Sequence, residues 1–277
     1  MNIAESNMSL LQVKGENAKL FLQGQLTCDV NQINENNASW SGYCDQKGRL
    51  FSVFLIFYFQ GYYFLWLPKD TATATQQELS KYARLSKVIL ENVSADFFCY
   101  LTQEINSHQQ EKLIKQTIVD QDVKINLLNS ITIIFAKKSL VLMNQIDQNK
   151  FSEELINYGI AKITEETMGL FTPHELNLPN INAVSFTKGC YRGQEIIARM
   201  EHLGKLKYVL AKGIMDFSPD LKPGDKIMDA ENNKRGTLVN FIDINSSVMV
   251  LMVLHQENVS DLLLIHQKKV ENIEVFL

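Results

Sequence analysis

Along most of this chain apolar residues either alternate with polar ones or run together, and helical spacing is confined to a few stretches. Residues 9–13 read as a short strand and 16–22 as a short helix stopped by Gly24. From 40 to 67 the pattern is β, with the turn Asp45-Gln46-Lys47-Gly48 inside it. The segment 50–67 is almost continuously apolar and long enough to suggest a membrane-spanning helix. Gln60-Gly61 breaks its middle, aromatic and β-branched residues fill both halves, and Pro68 ends it, so the run predicts two buried strands joined by a tight turn. Asp70 is placed to cap a helix reaching about Leu85. After it the pattern predicts strands at 87–90 and 96–101, a polar, glutamine-rich helix or loop at 108–115, strands at 123–128, 131–136 and 140–143, and a helix at 151–158.

The last helical stretch is 194–203, where Ile196, Ile197, Met200 and Leu203 share one stripe and Gly204 supplies a left-handed stop. Beyond it come only short strands, at 206–214, 225–228, 236–242, 248–254, 261–265 and 273–276, separated by turns such as Lys222-Pro223-Gly224-Asp225. That spacing predicts a small barrel or sandwich. The expected class is α+β, with two sheet-and-helix lobes in residues 1–205 and a β domain in 206–277.

Composition narrows the function. With 277 residues, 45% of them hydrophobic, the chain has ample material for a core. A net charge of −4 gives no global basic field, so neither direct nucleic-acid binding nor attachment to an anionic membrane is expected. The first residues lack a basic segment followed by an apolar block, which predicts a cytoplasmic protein. Cys28, Cys44, Cys99 and Cys190 show no ligand spacing, so neither a disulfide framework nor a stable metal site is expected. Phosphate-loop patterns are absent.

The segment Lys188-Gly189-Cys190-Tyr191-Arg192-Gly193-Gln194-Glu195 concentrates the candidate chemistry, because it sets one thiol between two cations and two glycines just before a helix. The helix dipole with Lys188 and Arg192 would favour thiolate, and Gly189 and Gly193 would allow close backbone approach to a ligand. Glu195 also suits a first helical turn on dipole grounds alone. This segment resembles the signature K-G-C-[YF]-x-G-Q-E of the YgfZ family, folate-binding relatives of the glycine-cleavage T-protein. Two further blocks are similar to that family: residues 21–30 (FLQGQLTCDV) and 44–49 (CDQKGR). The stretch with Pro173, His174, Asn177 and Leu178 matches more loosely, His174 standing where the family has glutamine.

The resemblance implies a T-protein-like fold, two lobes and a C-terminal β-barrel around a tetrahydrofolate channel. It implies an accessory protein for iron-sulfur cluster assembly or repair, serving cluster-dependent clients that include tRNA-modifying enzymes, rather than a classical enzyme. Folate would contact Lys188, Gly189, Tyr191, Arg192, Gly193, Gln194, Glu195, Gln25, Asp29, Asp45 and Lys47. Cys190 would act beside it as nucleophile, redox group or transient cluster ligand. The alternatives are a glycine-cleavage-type aminomethyltransferase and a scaffold without ligand.

Overall fold

The computed structural model describes residues 3, 6–103, 114–127, 131–142, 144–203, 206–259 and 262–276. The N-terminal elements are β1 (Met8–Lys14), α1 (Ala18–Gln23), β2 (Asn37–Cys44), β3 (Leu50–Phe59), β4 (Tyr62–Pro68), α2 (Lys69–Ala83) and β5 (Ile89–Asn92). There follow β6 (Phe98–Gln103), β7 (Ile114–Val119), β8 (Asp122–Leu127), β9 (Ile131–Ala136), α3 (Gln148–Asn157) and α4 (Gln194–Leu203). Nine strands form one curled sheet in the order β5-β1-β4-β3-β2-β7-β8-β9-β6. Its two halves, one per lobe, are stitched where Asn37 and Ala38 of β2 pair with Lys115 and Ile114 of β7.

The apolar run 50–67 is the β3–β4 hairpin. Gln60 and Gly61 both have positive φ, 50° and 86°, as a tight two-residue hairpin turn requires. The run is apolar on both faces because both are buried. Phe54, Ile56, Leu65 and Leu67 face a core shared with α1 and α2. Leu55, Phe57, Phe64 and Trp66 face the other half-sheet and α3, with Phe57 stacked on Phe135 at 4.7 Å. Among the described residues no helix is long and apolar enough to cross a membrane.

The C-terminal strands are β10 (Tyr208–Asp216), β11 (Lys226–Met228), β12 (Lys234–Ile244), β13 (Ser247–His255), β14 (Leu264–Ile265) and β15 (Lys268–Val275). They close a barrel in the order β10-β13-β12-β11-β14-β15. Leu210, Val239, Leu251 and Val253 enter the same core as Phe151 and Leu155 of α3, so the barrel is packed onto the second lobe.

Several elements differ from expectation. The α2 helix starts at Lys69 after Pro68, and Asp70 lies in its first turn, where its Oδ1 accepts from Thr71 N, instead of capping it. The polar stretch around 108–115 ends in strand β7; the buried Gln116, donating to Tyr58 O at 2.6 Å, hides the apolar alternation of Ile114 and Ile118. Residues 140–142 form no strand, because the β6 edge is taken by 144–146 through Gln103 N to Asn144 O and Ile146 N to Leu101 O. Strand β15 begins at Lys268, earlier than the expected 273. Gly204, 108–113, Met143 and Asp261 lie outside the described residues.

Candidate functional site

The three sequence blocks meet at one junction. Residues 188–195 cross over both the end of α1 and the Asp45–Gly48 turn. Lys188 reaches back to the α1 terminus, where its ammonium donates to Gln23 O, Leu26 O and Cys28 O at 2.8, 2.5 and 2.8 Å. Gln23 is the last residue of α1, and a cation suits a carbonyl at a helix C-terminus; Leu26 O and Cys28 O belong to the chain that leaves it. Burial pulls the Lys188 ammonium down to about 8, with Asp29 acting in the opposite sense. Its Nζ also sits 4.5 Å from the centre of the Tyr191 ring.

Arg192 is held by its backbone N donating to Gly24 O, and its guanidinium donates to Tyr43 Oη while lying over the Tyr43 and Tyr82 rings. Both cations are thus committed to partners other than the Cys190 thiol. Gly193 has φ +82°, and a Cβ there would stand 2.7 Å from Asp45 O and 3.0 Å from Gly48 Cα. A backbone crossing this close admits only glycine. Asp45 Oδ1 accepts from Lys47 N and Arg49 N, each at 2.8 Å, which shapes the turn that Gly193 touches. Asp29 caps the following turn through Asn31 N and accepts from Gln23 Nε2. Gln194 Oε1 accepts from Tyr191 N, and Glu195 is exposed and paired with Arg199.

Cys28 and Cys44 are buried and Cys99 is half-buried. Burial pushes Cys28 up to about 11 and Cys99 up to about 12, and raises Cys44 as well. Cys190 alone is exposed, with Gly189 beside it facing open space. The junction therefore gathers Lys188, Tyr191, Arg192, Gly193, Gln194, Gln25, Asp29 and Asp45, and leaves Gly189, Cys190, Glu195 and the Lys47 side chain at the surface. Gln25 Oε1 and the Tyr191 hydroxyl are buried there without partners. His174, on the loosely matching stretch, binds Glu201 of α4 at 3.0 Å through Nε2.

A second candidate site lies outside the residues singled out in the sequence. A cavity of about 980 Å³ opens between β1, β4, β6 and α3 and reaches β12, lined among others by Trp66, Asp70, Tyr100, Asp147, Phe151 and Lys162. None of the residues in the three blocks lines it. Lys162 is placed by the barrel: Asn240 of β12 accepts from its backbone N at 2.7 Å and donates to its carbonyl at 2.9 Å. Burial lowers the Lys162 ammonium to about 8 against the favourable charge of Asp70. Trp66 could have been suspected from an indole in a buried strand; for Lys162 the sequence carries no signal.

A curled two-lobed sheet with a closed barrel is the architecture of the aminomethyltransferase T-proteins. The whole chain superposes on glycine cleavage system aminomethyltransferase T from Bartonella henselae with a TM-score of 0.62, at 11% identity, covering 98% of this chain and 83% of that one. No protein-family model matches. The chain is 30% identical over 224 residues to the tRNA-modifying protein YgfZ of Colwellia psychrerythraea, which spans 74% of this chain and 68% of that protein. It is 28% identical over 250 residues to that of Aliivibrio fischeri, spanning 85% and 78%. The chain belongs to the YgfZ family.

Proposed function

We propose that this protein supports tRNA modification as a folate-responsive accessory factor for iron-sulfur enzymes, with a reduced folate in the Trp66–Lys162 cavity and Cys190 as the group offered to client proteins. The observation that carries the reading is the exposure of Cys190, alone among the four cysteines, on a loop pinned by three separate chain segments. A thiol so placed meets a partner surface without a conformational change. Among the described residues no three His, Cys, Asp or Glu side chains converge. An iron-sulfur cluster, which is commonly held by four thiolates, would be the client's cargo, with this chain supplying a single thiolate. The name tRNA-modifying protein carried by the relatives supports the choice of client.

For the folate, the cavity falls within the size range of small-molecule sites, about 300–1,000 Å³. Its aromatic wall of Trp66, Tyr100 and Phe151 suits a planar ring, and Asp70, Asp147 and Lys162 supply polar groups at its margin. A bound reduced folate would supply one-carbon or redox chemistry; the residues of this chain bind it, orient it and exclude water from its ring. The motif residues first expected around the ligand act instead in this reading by holding the Cys190 loop.

The test is complementation in a strain lacking the protein, reading the modification level of cluster-dependent tRNA sites beside site-resolved iodoacetamide labelling. Cys190 should label in the native protein far ahead of the other three, and Cys190→Ser should fold yet leave the tRNA unmodified. Full restoration by Cys190→Ser would remove the thiol from the account.

A further inference from the structure

Two residues that line the cavity carry hydrogen-bond donors that the protein leaves largely unused. Trp66 is 2% exposed, and its indole N–H has no acceptor. Lys162 has three donor hydrogens and gives one hydrogen bond, to Ser152 Oγ at 2.9 Å. The nearby Asp70 carboxylate is engaged by backbone instead, accepting from Thr71 N at 2.8 Å and from Glu165 N at 3.4 Å. The Phe151 ring links the two donors, its centre lying 5.7 Å from the Trp66 ring and 5.7 Å from Lys162 Nζ. A buried N–H without an acceptor is unfavourable, and an ammonium that burial has stripped of water keeps only one hydroxyl and the face of the Phe151 ring in exchange; retaining the two at one cavity is explained when an acceptor enters with a ligand.

We infer that Trp66 and Lys162 form an acceptor subsite that binds an oxygen of the ligand, carboxylate or ring carbonyl, while the ligand's plane lies against Phe151 and Tyr100. One donor comes from the sheet through β4, and the other is fixed by the barrel through Asn240. The subsite thus exists only where barrel and lobe are docked. An ammonium already lowered by burial gains from an incoming anion more than a solvated one would. This inference rests on the cavity being the ligand site, and it deepens the folate reading by naming the groups that select the ligand.

Calorimetric titration of the full chain tests it with four probes: folinate, tetrahydropterin, p-aminobenzoylglutamate and naphthoate. Lys162→Met should weaken binding about tenfold and Trp66→Phe, which keeps a ring and removes the N–H, somewhat less, while Lys162→Arg retains most of the affinity. A loss seen with tetrahydropterin assigns the subsite to the ring carbonyl; a loss seen with p-aminobenzoylglutamate assigns it to the tail carboxylates. Naphthoate binding through Lys162 with no response to folinate would sustain the subsite and overturn the folate reading. Folinate binding equally to the wild type, Lys162→Met and Trp66→Phe would overturn the subsite and sustain the folate reading. Wild-type protein that binds none of the four would overturn both. Melting temperatures of the ligand-free variants, measured alongside, separate lost recognition from lost folding.

Discussion

Lys188 at the motif junction and Lys162 in the cavity are both brought to about 8 by burial, yet their surroundings are opposite. Three carbonyl oxygens answer the charge of Lys188. One hydroxyl accepts from Lys162, with only the Asp70 charge and the Phe151 ring face in addition. A buried charge with a full set of acceptors is offset within the fold, while one with few acceptors is costly to keep, and in the proposed reading the ligand offsets that cost. In that reading the signature that identifies the family marks the frame and the thiol it presents, whereas the ligand-selecting groups lie in segments with no signature.

The sharpest way to break the junction is Gly193→Val. Positive φ and the close approach to Asp45 O should cost roughly 3 kcal/mol or more in urea denaturation, since strain alone at such a position costs about 1–3 kcal/mol. Lys188→Met comes next. It leaves three carbonyls without their donor, hydrogen bonds to charged groups being worth roughly 1.5–3 kcal/mol, while below pH 8 the removal of a charge that burial disfavours offsets part of the loss, so the variant should be destabilised by up to about 2 kcal/mol.

Lys162→Met should have the opposite sign. A folded-state value near 8, below the unfolded value of 10.5, means that charged Lys162 costs stability in full below pH 8 and that the cost fades as pH rises from 8 to 10.5. The variant should then be more stable than the wild type at pH 7, by up to roughly 2–3 kcal/mol, with the advantage vanishing above pH 10. Lys69, Asp70, Cys99, Tyr100 and Asp147 also line this cavity, and Lys188 titrates in the same window elsewhere. All of these are present in both proteins, so the difference between the two stability curves isolates Lys162. The smallest effect belongs to Gly189→Ala. Nothing lies within 4 Å of its Cβ position, and stability should stay within about 0.5 kcal/mol, in contrast to Gly193 four residues on.

These contrasts also show what was legible in the sequence. The β3–β4 hairpin could be read because Gln60-Gly61 and the aromatic flanks are local signals. Strand β7 could not, because Gln116 is buried by a hydrogen bond to a distant strand and looks polar in sequence. At the junction, the glycines and the lone thiol were conspicuous, but the destinations of Lys188 and Arg192 depend on contacts made across more than a hundred residues. The cavity was invisible because Trp66, Phe151 and Lys162 each have an ordinary local reading and line one cavity only when β4, α3 and the barrel are brought together.

The central claim is that thiol presentation and ligand binding are separate functions of separate regions. It is tested most directly by the thermal shift that folinate produces in Cys190→Ser compared with the wild type. At a hundred times the dissociation constant the ligand should add about 2.7 kcal/mol of apparent stability. The account predicts the same shift in both proteins, while Cys190→Ser fails to restore tRNA modification. A shift abolished by Cys190→Ser would place the ligand at the thiol and contradict the separation.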